Sequence, residues 1–525
     1  MSTPTPDRTD QPPARRGLMG SGLIVSAMTM LSRVMGLARD VVIAALLGAG
    51  TGADAFFVAF KIPNFLRRLF AEGAFNQAFV PVLSEYSTTR TREEIRELLN
   101  AVAGSLAAVL ALITALAMLA APWLVWVFAP GFGRDPEKLA LTADMLQLTF
   151  PYLLLISLTA FSGSVLNTWN RFAVPAFTPV LLNLSLIGAA LLLVPLMDTP
   201  AMALAWGVLI AGAAQLAFQV PFLFRLGLLP KPWPNFAHEG VRRILKLMAP
   251  ALFGVSVSQI NLLLDTVLAS FLAAGSVSWL YYSDRLVELP LGVFGVAIGT
   301  VILPALSKRH ASQSREHFSA MLDWAIRMVL LLGLPAALAL AVLAKPLLIT
   351  LFHYGAMTDH DIQMAAMSLR AYAFGLLAFM LIKVLAPGFF ARQDTKTPVK
   401  IGIIAMLANM VFNLILIWPL AHAGLALATA LSAFMNAGML GYLLRKQGIL
   451  VFQPGWPRFA LQLVGGSAVM SIGLYWLAPE WQAWLEFSLF QRVGWVSVLV
   501  GLGAGVYFAW LAAFGLRLKQ LKMHS

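Results

Sequence analysis

The sequence contains no cysteine and has few charged side chains. None of its 525 residues is Cys, which excludes a disulfide, a thiolate metal site and a Cys nucleophile. Asp, Glu, Lys and Arg together make up 12% of the chain, whereas soluble domains carry about 25%. So few charges cannot cover the surface of a soluble protein of this size. The composition therefore excludes a soluble enzyme, a disordered chain and a secreted disulfide scaffold.

Long apolar runs fill the rest of the chain. Hydrophobic residues make up 59% of the sequence, and the mean hydropathy is +0.80. A helix needs about 20 mostly apolar residues to cross a bilayer. Fourteen stretches, numbered here as spans 1 to 14, meet that length: 18–47, 54–84, 98–128, 139–168, 173–197, 201–225, 243–272, 278–306, 319–352, 361–391, 399–419, 423–444, 459–478 and 491–516. The sequence predicts an all-α polytopic membrane protein with fourteen transmembrane helices.

The excess of positive charge indicates the orientation in the membrane. The formal net charge is +13, and with an even number of spans both termini lie on one side. Loops on that side hold roughly 24 Lys and Arg and the opposite loops about two, so the positive-inside rule predicts that both termini are cytoplasmic. Residues 1–17 are polar and rich in Pro, as in a disordered tail, and no cleavable signal is evident. Nucleic-acid binding is disfavoured because the aromatic residues lie in apolar runs rather than between basic residues.

The chain matches itself at one constant offset in three separate places. The matches are 80–84 with 303–307, Pro175 with Pro398, and 203–205 with 426–428. Each repeat holds six spans, so the two halves have the same orientation, as in many alternating-access transporters. We therefore predict an N-lobe at 18–225 (spans 1–6) and a C-lobe at 226–446 (spans 7–12). Residues 447–525 add spans 13 and 14 and a cytoplasmic tail.

Several spans carry charged residues, which are costly inside a membrane. A charge at mid-membrane costs at least about 2.5–3.5 kcal/mol and so needs a partner, water or a function. The clusters are Arg33, Arg39 and Asp40 in span 1; Asp54, Lys61, Arg67, Arg68 and Glu72 in span 2; Asp284, Arg285 and Glu288 in span 8; and Arg370 and Lys383 in span 10. Some of them can be structural ion pairs or snorkelling side chains, and Arg68, Arg327 and Arg370 fit that interpretation best.

Arginine predominates in the first two spans of each repeat. Its planar guanidinium group donates two parallel hydrogen bonds, which suits bidentate binding of phosphate. We expect Arg33, Arg39, Arg67 and Arg285 to line a water-filled cavity between the lobes. A cationic cavity of this kind binds an anion, and a phosphate or pyrophosphate group fits best.

A second polar set lies in spans 7, 11 and 12. It consists of Asp265, Asn409, Asn413 and Thr429. A carboxylate with amide and hydroxyl oxygens suits Na⁺ or a proton, although a hydrogen-bonded packing network has the same composition. Both interpretations stay open on the sequence alone.

Catalytic and nucleotide-binding motifs are lacking. The run GAGTGAD at 48–54 follows no strand and is a turn between spans rather than a dinucleotide fingerprint. The 7 His residues form no HExxH arrangement, and no nucleophile–base pair or ATP-binding motif is evident. The sequence thus predicts a transporter, not an enzyme, that needs no cofactor and draws on the membrane potential or on coupling to Na⁺ or protons.

Five long segments resemble the MurJ/MviN family, and the likeness extends from about residue 18 to the end of the chain. They are SRVMGLARD (32–40), ADAFFVAFKIPNFLRRLFAEGAFNQAFVPVLSEY (53–86), LNTWNRFAVPAF (166–177), SVSWLYYSDRLVELPLGVFGVAIGT (276–300) and KVLAPGFFARQDTKTPVK (383–400). The resemblance implies membership of the multidrug/oligosaccharidyl-lipid/polysaccharide transporter superfamily. It also implies flipping of lipid II, the undecaprenyl-pyrophosphate-linked peptidoglycan precursor, across the bacterial cytoplasmic (inner) membrane. The expected partners are lipid II, membrane lipids, and proteins of cell-wall synthesis and division, with a role in cell-wall biogenesis and cell shape.

The resemblance also implies roles for individual residues. Arg33, Arg39, Arg67 and Arg285 match the cavity arginines of the family, and spans 13 and 14 match the pair associated with a groove for the polyprenyl tail. Supporting or gating roles are expected for Asp40, Asp54, Lys61, Glu72, Ser278, Asp284, Glu288 and Lys383. The alternatives are a flippase or exporter of another polyprenyl-linked glycan or of a small molecule, and a membrane scaffold that transports nothing.

Overall fold

The computed structural model of the chain describes residues 18–295, 298, 302, 306, 307 and 315–516. Within that part, the side chains of 18–23, 71–72, 253–255, 257–259 and 261–262 are not described. The predicted tails at 1–17 and 517–525 and most of the repeat match at 303–307 lie outside the described residues. So does the end of span 8.

The secondary structure of the described residues is helical. The α-helices are α1 (Leu18–Leu47), α2 (Thr51–Arg67), α3 (Asn76–Thr89), α4 (Arg92–Leu119), α5 (Ala121–Phe128), α6 (Pro136–Thr149), α7 (Tyr152–Thr168), α8 (Ala173–Leu192), α9 (Pro200–Arg225), α10 (Glu239–Ala269), α11 (Ser276–Pro290), α12 (Arg315–Val342), α13 (Ala344–Phe352), α14 (Asp359–Phe390), α15 (Lys396–Lys446), α16 (Trp456–Leu477), α17 (Trp481–Glu486) and α18 (Leu489–Ala513). Two π-helical segments, Arg68–Phe75 and Leu291–Gly295, follow α2 and α11. Helices suit a bilayer because they satisfy their own backbone hydrogen bonds.

Helices occupy the described parts of the ranges predicted from hydropathy. In the part of the chain that is described, nine helices are long and apolar enough to cross a membrane. One of these, α15, holds both span 11 and span 12, and its backbone breaks at Ala421, where φ is 48° and ψ is −127°. The all-α membrane fold is confirmed, and the count of fourteen spans stays a prediction.

Helix boundaries recur at the offset found in the sequence. Four pairs of helices begin at residues separated by the same distance along the chain as Pro175 and Pro398: Arg92 and Arg315, Ala121 and Ala344, Pro136 and Asp359, and Ala173 and Lys396. The two π-helical segments begin at that offset as well. Such segments are rare and occur frequently at functional sites. The repeat is therefore visible in backbone features that hydropathy does not specify.

A left-handed residue ends the equivalent helices of each repeat. Asn170 has φ 60° and Gln393 has φ 62°, again at the repeat offset, and few residues other than Gly adopt this conformation. The next N–H in each case bonds to a carbonyl further back in the helix: Arg171 to Leu166 at 2.8 Å and Asp394 to Phe389 at 3.1 Å. Both turns thus close their helices in the same way before Pro175 and Pro398.

The described chain forms two compact units. Unit 1 contains residues 18–43 and 55–259, and unit 2 contains residues 44–54 and 260–516. The core of unit 1 includes stacked rings of Phe75 and Phe79 with centroids 4.9 Å apart, and Phe161 lies 5.2 Å from Phe79. In unit 2, Tyr507 of α18 donates to the Leu331 carbonyl of α12 at 2.8 Å. This bond fixes the last helix to α12.

Candidate functional site

Arg39 forms a buried ion pair with its neighbour Asp40 in α1. Its Nη2 lies 2.6 Å and its Nε 2.9 Å from Asp40 Oδ1. Both residues are almost completely inaccessible, at 5% and 0% exposure. A pair at this depth needs its full set of hydrogen bonds to offset desolvation. The contacts of Arg39 in this state therefore match the structural interpretation of the charge.

Asn183 of α8 is the partner that the sequence analysis missed. Its Oδ1 accepts from Arg39 Nη1 at 3.0 Å, and its Nδ2 donates to the Ser32 carbonyl at 3.0 Å. Asn183 thereby links α8 to α1 through two bonds. The available signal in the sequence was that Asn183 is the single amide side chain of span 5.

Arg33 and Arg67 belong to the same unit as Arg39 and are more accessible. Arg33 is exposed on α1. Arg67 ends α2, is half-buried, and donates from Nε to Asn64 Oδ1 at 2.9 Å, one helical turn back. Lys61 is half-buried on the same helix, and the side chain of Glu72 lies outside what is described.

Arg285 lies on α11 in unit 2 and is held by residues of its own helix. Its Nη1 is 2.8 Å from Glu288 Oε2, and its Nη2 donates to the Tyr281 hydroxyl at 3.0 Å. The guanidinium also lies 5.0 Å from the centre of the Tyr281 ring. About a third of the Arg285 side chain is accessible, and Asp284 and Lys383 are exposed. A partly open guanidinium that is held in place can still bind an anion.

Asp54 caps the N-terminus of α11 with its buried carboxylate. Oδ2 accepts the Gly275 N–H at 2.8 Å, and Oδ1 accepts the Ser278 N–H at 3.0 Å and the Ser278 hydroxyl at 2.6 Å. Asp54 is 1% exposed, and a helix N-terminus favours a negative charge. The structure thus joins two residues that the sequence placed in different repeats, and both belong to unit 2.

The glycine at the start of α11 is required by this geometry. Gly275 has φ +98°, which L side chains rarely adopt. An added Cβ would also come within 2.9 Å of the Ala49 carbonyl oxygen. A side chain there would therefore move the helix end away from the carboxylate that caps it.

The four residues of the predicted cation site lie together in unit 2. Asp265 Oδ1 accepts from Asn413 Nδ2 at 2.8 Å and more weakly from Asn409 Nδ2 at 3.4 Å. Asp265 Oδ2 accepts from the Thr429 hydroxyl at 3.2 Å. Both asparagines have no accessible surface. The residues converge from α10 and from both parts of α15, on either side of the Ala421 break.

The oxygen atoms of this cluster fit a small hard cation. Among the described residues, the Oδ1 of Asn413 has no hydrogen-bond partner although it is buried. The two ends of an Asn amide are assigned from the hydrogen-bond network, so rotation of the amide would turn this oxygen toward the carboxylate. One carboxylate with amide and hydroxyl oxygens is the kind of donor set that hard cations prefer.

Comparison with known proteins identifies the family. The family model described as lipid II flippase MurJ matches residues 43–494. Two relatives, both named probable lipid II flippase MurJ, come from Vibrio cholerae and Haemophilus influenzae. The first is 49% identical and covers 96% of this chain and 98% of its own length. The second is 50% identical and covers 94% of this chain and 99% of its own length.

Solved structures agree with that assignment. The structure described as lipid II flippase MurJ in an inward closed conformation has a TM-score of 0.79 at 28% identity, and it covers 94% of this chain and 98% of its own. An inward-facing multidrug resistance MATE family transporter of the MOP superfamily has a TM-score of 0.65 at 14% identity, covering 81% of this chain and 98% of its own. The second likeness concerns the fold alone. The family model and the relatives from Vibrio cholerae and Haemophilus influenzae show that the chain belongs to the MurJ family, whose members are named as flippases and not as enzymes.

Proposed function

We propose that this chain flips lipid II from the inner to the outer leaflet of the bacterial cytoplasmic membrane. The observation that carries the proposal is the match to the lipid II flippase model across residues 43–494. The chemistry of the charged residues fits this substrate. A pyrophosphate leaves water only if donors replace its hydration, and arginine supplies charge-assisted, bidentate hydrogen bonds.

The mechanism that we propose is alternating access through an arginine-lined central cavity. Arg33, Arg67 and Arg285 are its substrate ligands, since each is exposed or half-buried. In the present structure the Arg39 guanidinium donates to the Asp40 carboxylate. We propose that Arg39 joins the other ligands in a state in which this ion pair is broken. Arg285 forms the corresponding ion pair with Glu288. The acidic neighbours would then hold each guanidinium between transport events and release it to the pyrophosphate.

Asp54 is the proposed gate residue. Its three hydrogen bonds to Gly275 and Ser278 hold the start of α11 in the present state. If the two repeats move relative to one another when access changes, these bonds break and re-form, because they join residues of different repeats. Lys61, Asp284 and Lys383 are proposed as further charges that adjust this exchange.

The polyprenyl tail and the energy source complete the proposal. The two C-terminal helices, α16 and α18, carry strongly exposed apolar side chains such as Leu461 and Phe490, and they are the proposed path for the tail.

With both termini cytoplasmic, cavity arginines face an inside-negative potential worth about 2.3 kcal/mol per charge per 100 mV. That potential would favour the inward-open state of the empty protein. Proteins of cell-wall synthesis and division are the proposed partners.

Depletion of the protein in its native cell tests the substrate. Lipid II is expected to accumulate on the inner leaflet while its outer-leaflet pool falls, because synthesis continues and flipping stops. Extraction of lipid-linked precursors, with and without an outer hydrolase, measures both pools. Accumulation of a different polyprenyl-linked glycan would favour the alternative exporter, and unchanged pools would favour a scaffold.

The cation site predicts ion-dependent transport. If Asp265, Asn409, Asn413 and Thr429 hold Na⁺, Asp265→Asn should weaken ion binding by about tenfold, since a charged ligand is lost. Flipping in vesicles is measured with Na⁺ replaced by choline, and over a pH series for the proton alternative. Asp359→Asn, an exposed carboxylate of the same unit, is the control. Unchanged ion dependence in Asp265→Asn at normal abundance would mean that the cluster only packs.

A further inference from the structure

Unit 1 contains an apolar cavity that the transport mechanism does not use. Its volume is about 290 Å³, near the lower end of small-molecule sites (about 300–1,000 Å³). One wall is a single face of α10 formed by Val241, Ile244, Leu245, Met248, Ala249 and Leu252. The facing wall comes from α4 and from Phe70 and Phe75 of the first π-helical segment. The spacing of three and four residues on α10 is that of one helical stripe.

The cavity offers no polar group to a ligand. The two hydroxyls in its lining are Ser105 and Ser157. Ser105 Oγ accepts the Asn235 N–H at 3.1 Å, and Ser157 Oγ donates to the Leu153 carbonyl at 2.7 Å. Both hydroxyls are thus engaged within the protein. Only an apolar group would fit here without leaving a polar atom unsatisfied.

The length of the cavity matches one leaflet of a bilayer. Its lining runs from Val102 to Ile113 on α4 and from Val241 to Leu252 on α10. At 1.5 Å per residue each wall is about 16 Å long. Half of a hydrocarbon core of about 30 Å has the same length. The space therefore fits an acyl chain of a single leaflet, entering from the end at which both helices begin.

Basic side chains border that end. Arg242 and Lys246 are exposed and lie four residues apart on α10, beside the lining face. Neither side chain forms a hydrogen bond or an ion pair within the described part of the chain. Glu239 is the one carboxylate on the first turn of the helix. Arg243 points elsewhere, because its guanidinium donates to both carboxylate oxygens of Glu85 at 2.9 and 2.7 Å.

The role of Arg243 separates it from its two neighbours. Its hydrogen bonds hold the pKa of Glu85 below the usual range. The Arg243 charge is thereby paired with Glu85. The positive charges of Arg242 and Lys246 remain available at the cavity entrance.

The linker between α9 and α10 borders the same end, where Phe236 lines the cavity. Its backbone lies on α4, where the Lys231 N–H donates to Asn100 Oδ1 at 2.7 Å. Trp233 and Phe236 are exposed, at 76% and 48%, and Phe236 lines the cavity. Exposed aromatic rings next to basic residues are typical of the membrane–water interface.

We propose that this cavity binds one anionic glycerophospholipid as a resident, non-transported lipid. One acyl chain lies between α4 and α10, and the phosphate contacts Arg242 and Lys246. According to the predicted topology the lipid comes from the cytoplasmic leaflet. Neither Arg242 nor Lys246 is one of the arginines proposed to bind lipid II.

Retention of lipid by the purified full-length protein tests the site. The protein is taken from vesicles with equal amounts of phosphatidylglycerol and phosphatidylcholine of the same acyl chains, and bound lipid is counted by native mass spectrometry. The wild type should retain one phosphatidylglycerol in preference. Arg242→Gln with Lys246→Gln should lower that affinity by roughly 30-fold, because two basic residues near an anionic group are lost.

A substitution that fills the cavity tests the contribution of the acyl chain separately from that of the lipid head group. Ala249→Trp should abolish retention of both lipids, whereas Leu247→Trp, on an exposed position of α10 outside the lining, should retain phosphatidylglycerol as the wild type does. The proposal is overturned if the Ala249→Trp protein still retains phosphatidylglycerol. It is overturned as well if the loss of Arg242 and Lys246 leaves that retention unchanged. It is also overturned if Ala249→Trp lowers retention of added undecaprenyl phosphate but not of phosphatidylglycerol, because the occupant would then be the substrate tail.

Discussion

Arg285→Ala is expected to lower lipid II flipping by roughly tenfold or more while leaving membrane abundance normal. About a third of the Arg285 side chain is accessible, so we expect the fold to tolerate its loss. Losing a charge-assisted hydrogen bond costs about 1.5–3 kcal/mol, or roughly ten- to hundredfold in affinity. Arg285→Lys should be less impaired, since Lys keeps the charge but lacks the planar fork. Flipping and membrane abundance are measured side by side.

Arg370→Ala is the matched control for this variant. Arg370 is exposed on α14 in the same unit, and it donates a long hydrogen bond of 3.4 Å to the Ala341 carbonyl. The Arg370→Ala protein should flip lipid II normally.

Arg33→Ala should lower lipid II flipping as Arg285→Ala does. Normal flipping by Arg33→Ala and Arg285→Ala, or loss of abundance in either, would mean that these charges are structural and not ligands of the pyrophosphate.

Asp40→Ala is expected to cause a large loss of folded protein. The substitution leaves the buried Arg39 charge without its carboxylate, and breaking a buried pair from one side costs about 3–5 kcal/mol. Native proteins are stable by only about 5–15 kcal/mol. Membrane abundance and thermal stability in detergent measure the effect. Asp144→Ala, an exposed carboxylate of the same unit, should change stability by no more than about 0.5 kcal/mol.

The double variant separates the two roles of Arg39. Removing both charges, with Arg39→Met and Asp40→Ala, should restore abundance, because no uncompensated charge stays buried. If Arg39 also binds the substrate, the restored protein will still fail to flip lipid II. Restored flipping would assign the pair to structure alone. Poor abundance of the double variant would contradict the ion-pair account.

Several features of this protein could be predicted from local sequence. The apolar runs indicated the helices because an exposed backbone polar group is not tolerated in a bilayer. The offset between the two sequence repeats also recurs in the helix starts and in the left-handed turns at Asn170 and Gln393. Composition and repetition are properties of the chain that require no knowledge of which helices touch.

Some boundaries of the helical segments could be located only in the structure. The π-helical segments at Arg68–Phe75 and Leu291–Gly295 have no hydropathy signal, because a π-turn changes the hydrogen-bond pattern and not the composition. Likewise, the break at Ala421 is a single residue between two apolar spans. Its general place followed from the two predicted spans, but its conformation did not.

The sequence by itself determined which residues are costly in a membrane, and only the tertiary structure decided which partners they have. Asp54 was an acidic residue near a turn until α11 brought Gly275 and Ser278 to its carboxylate. The sequence indicated no hydrogen-bond partner for Arg39 outside its own helix, and the structure places Asn183, from a distant part of the chain, where it accepts from it. The hydropathy of a segment indicates the free-energy cost of burying each charged side chain in it. The compensating bond depends on helices that approach one another from separate regions of the sequence, and no local pattern encodes that approach.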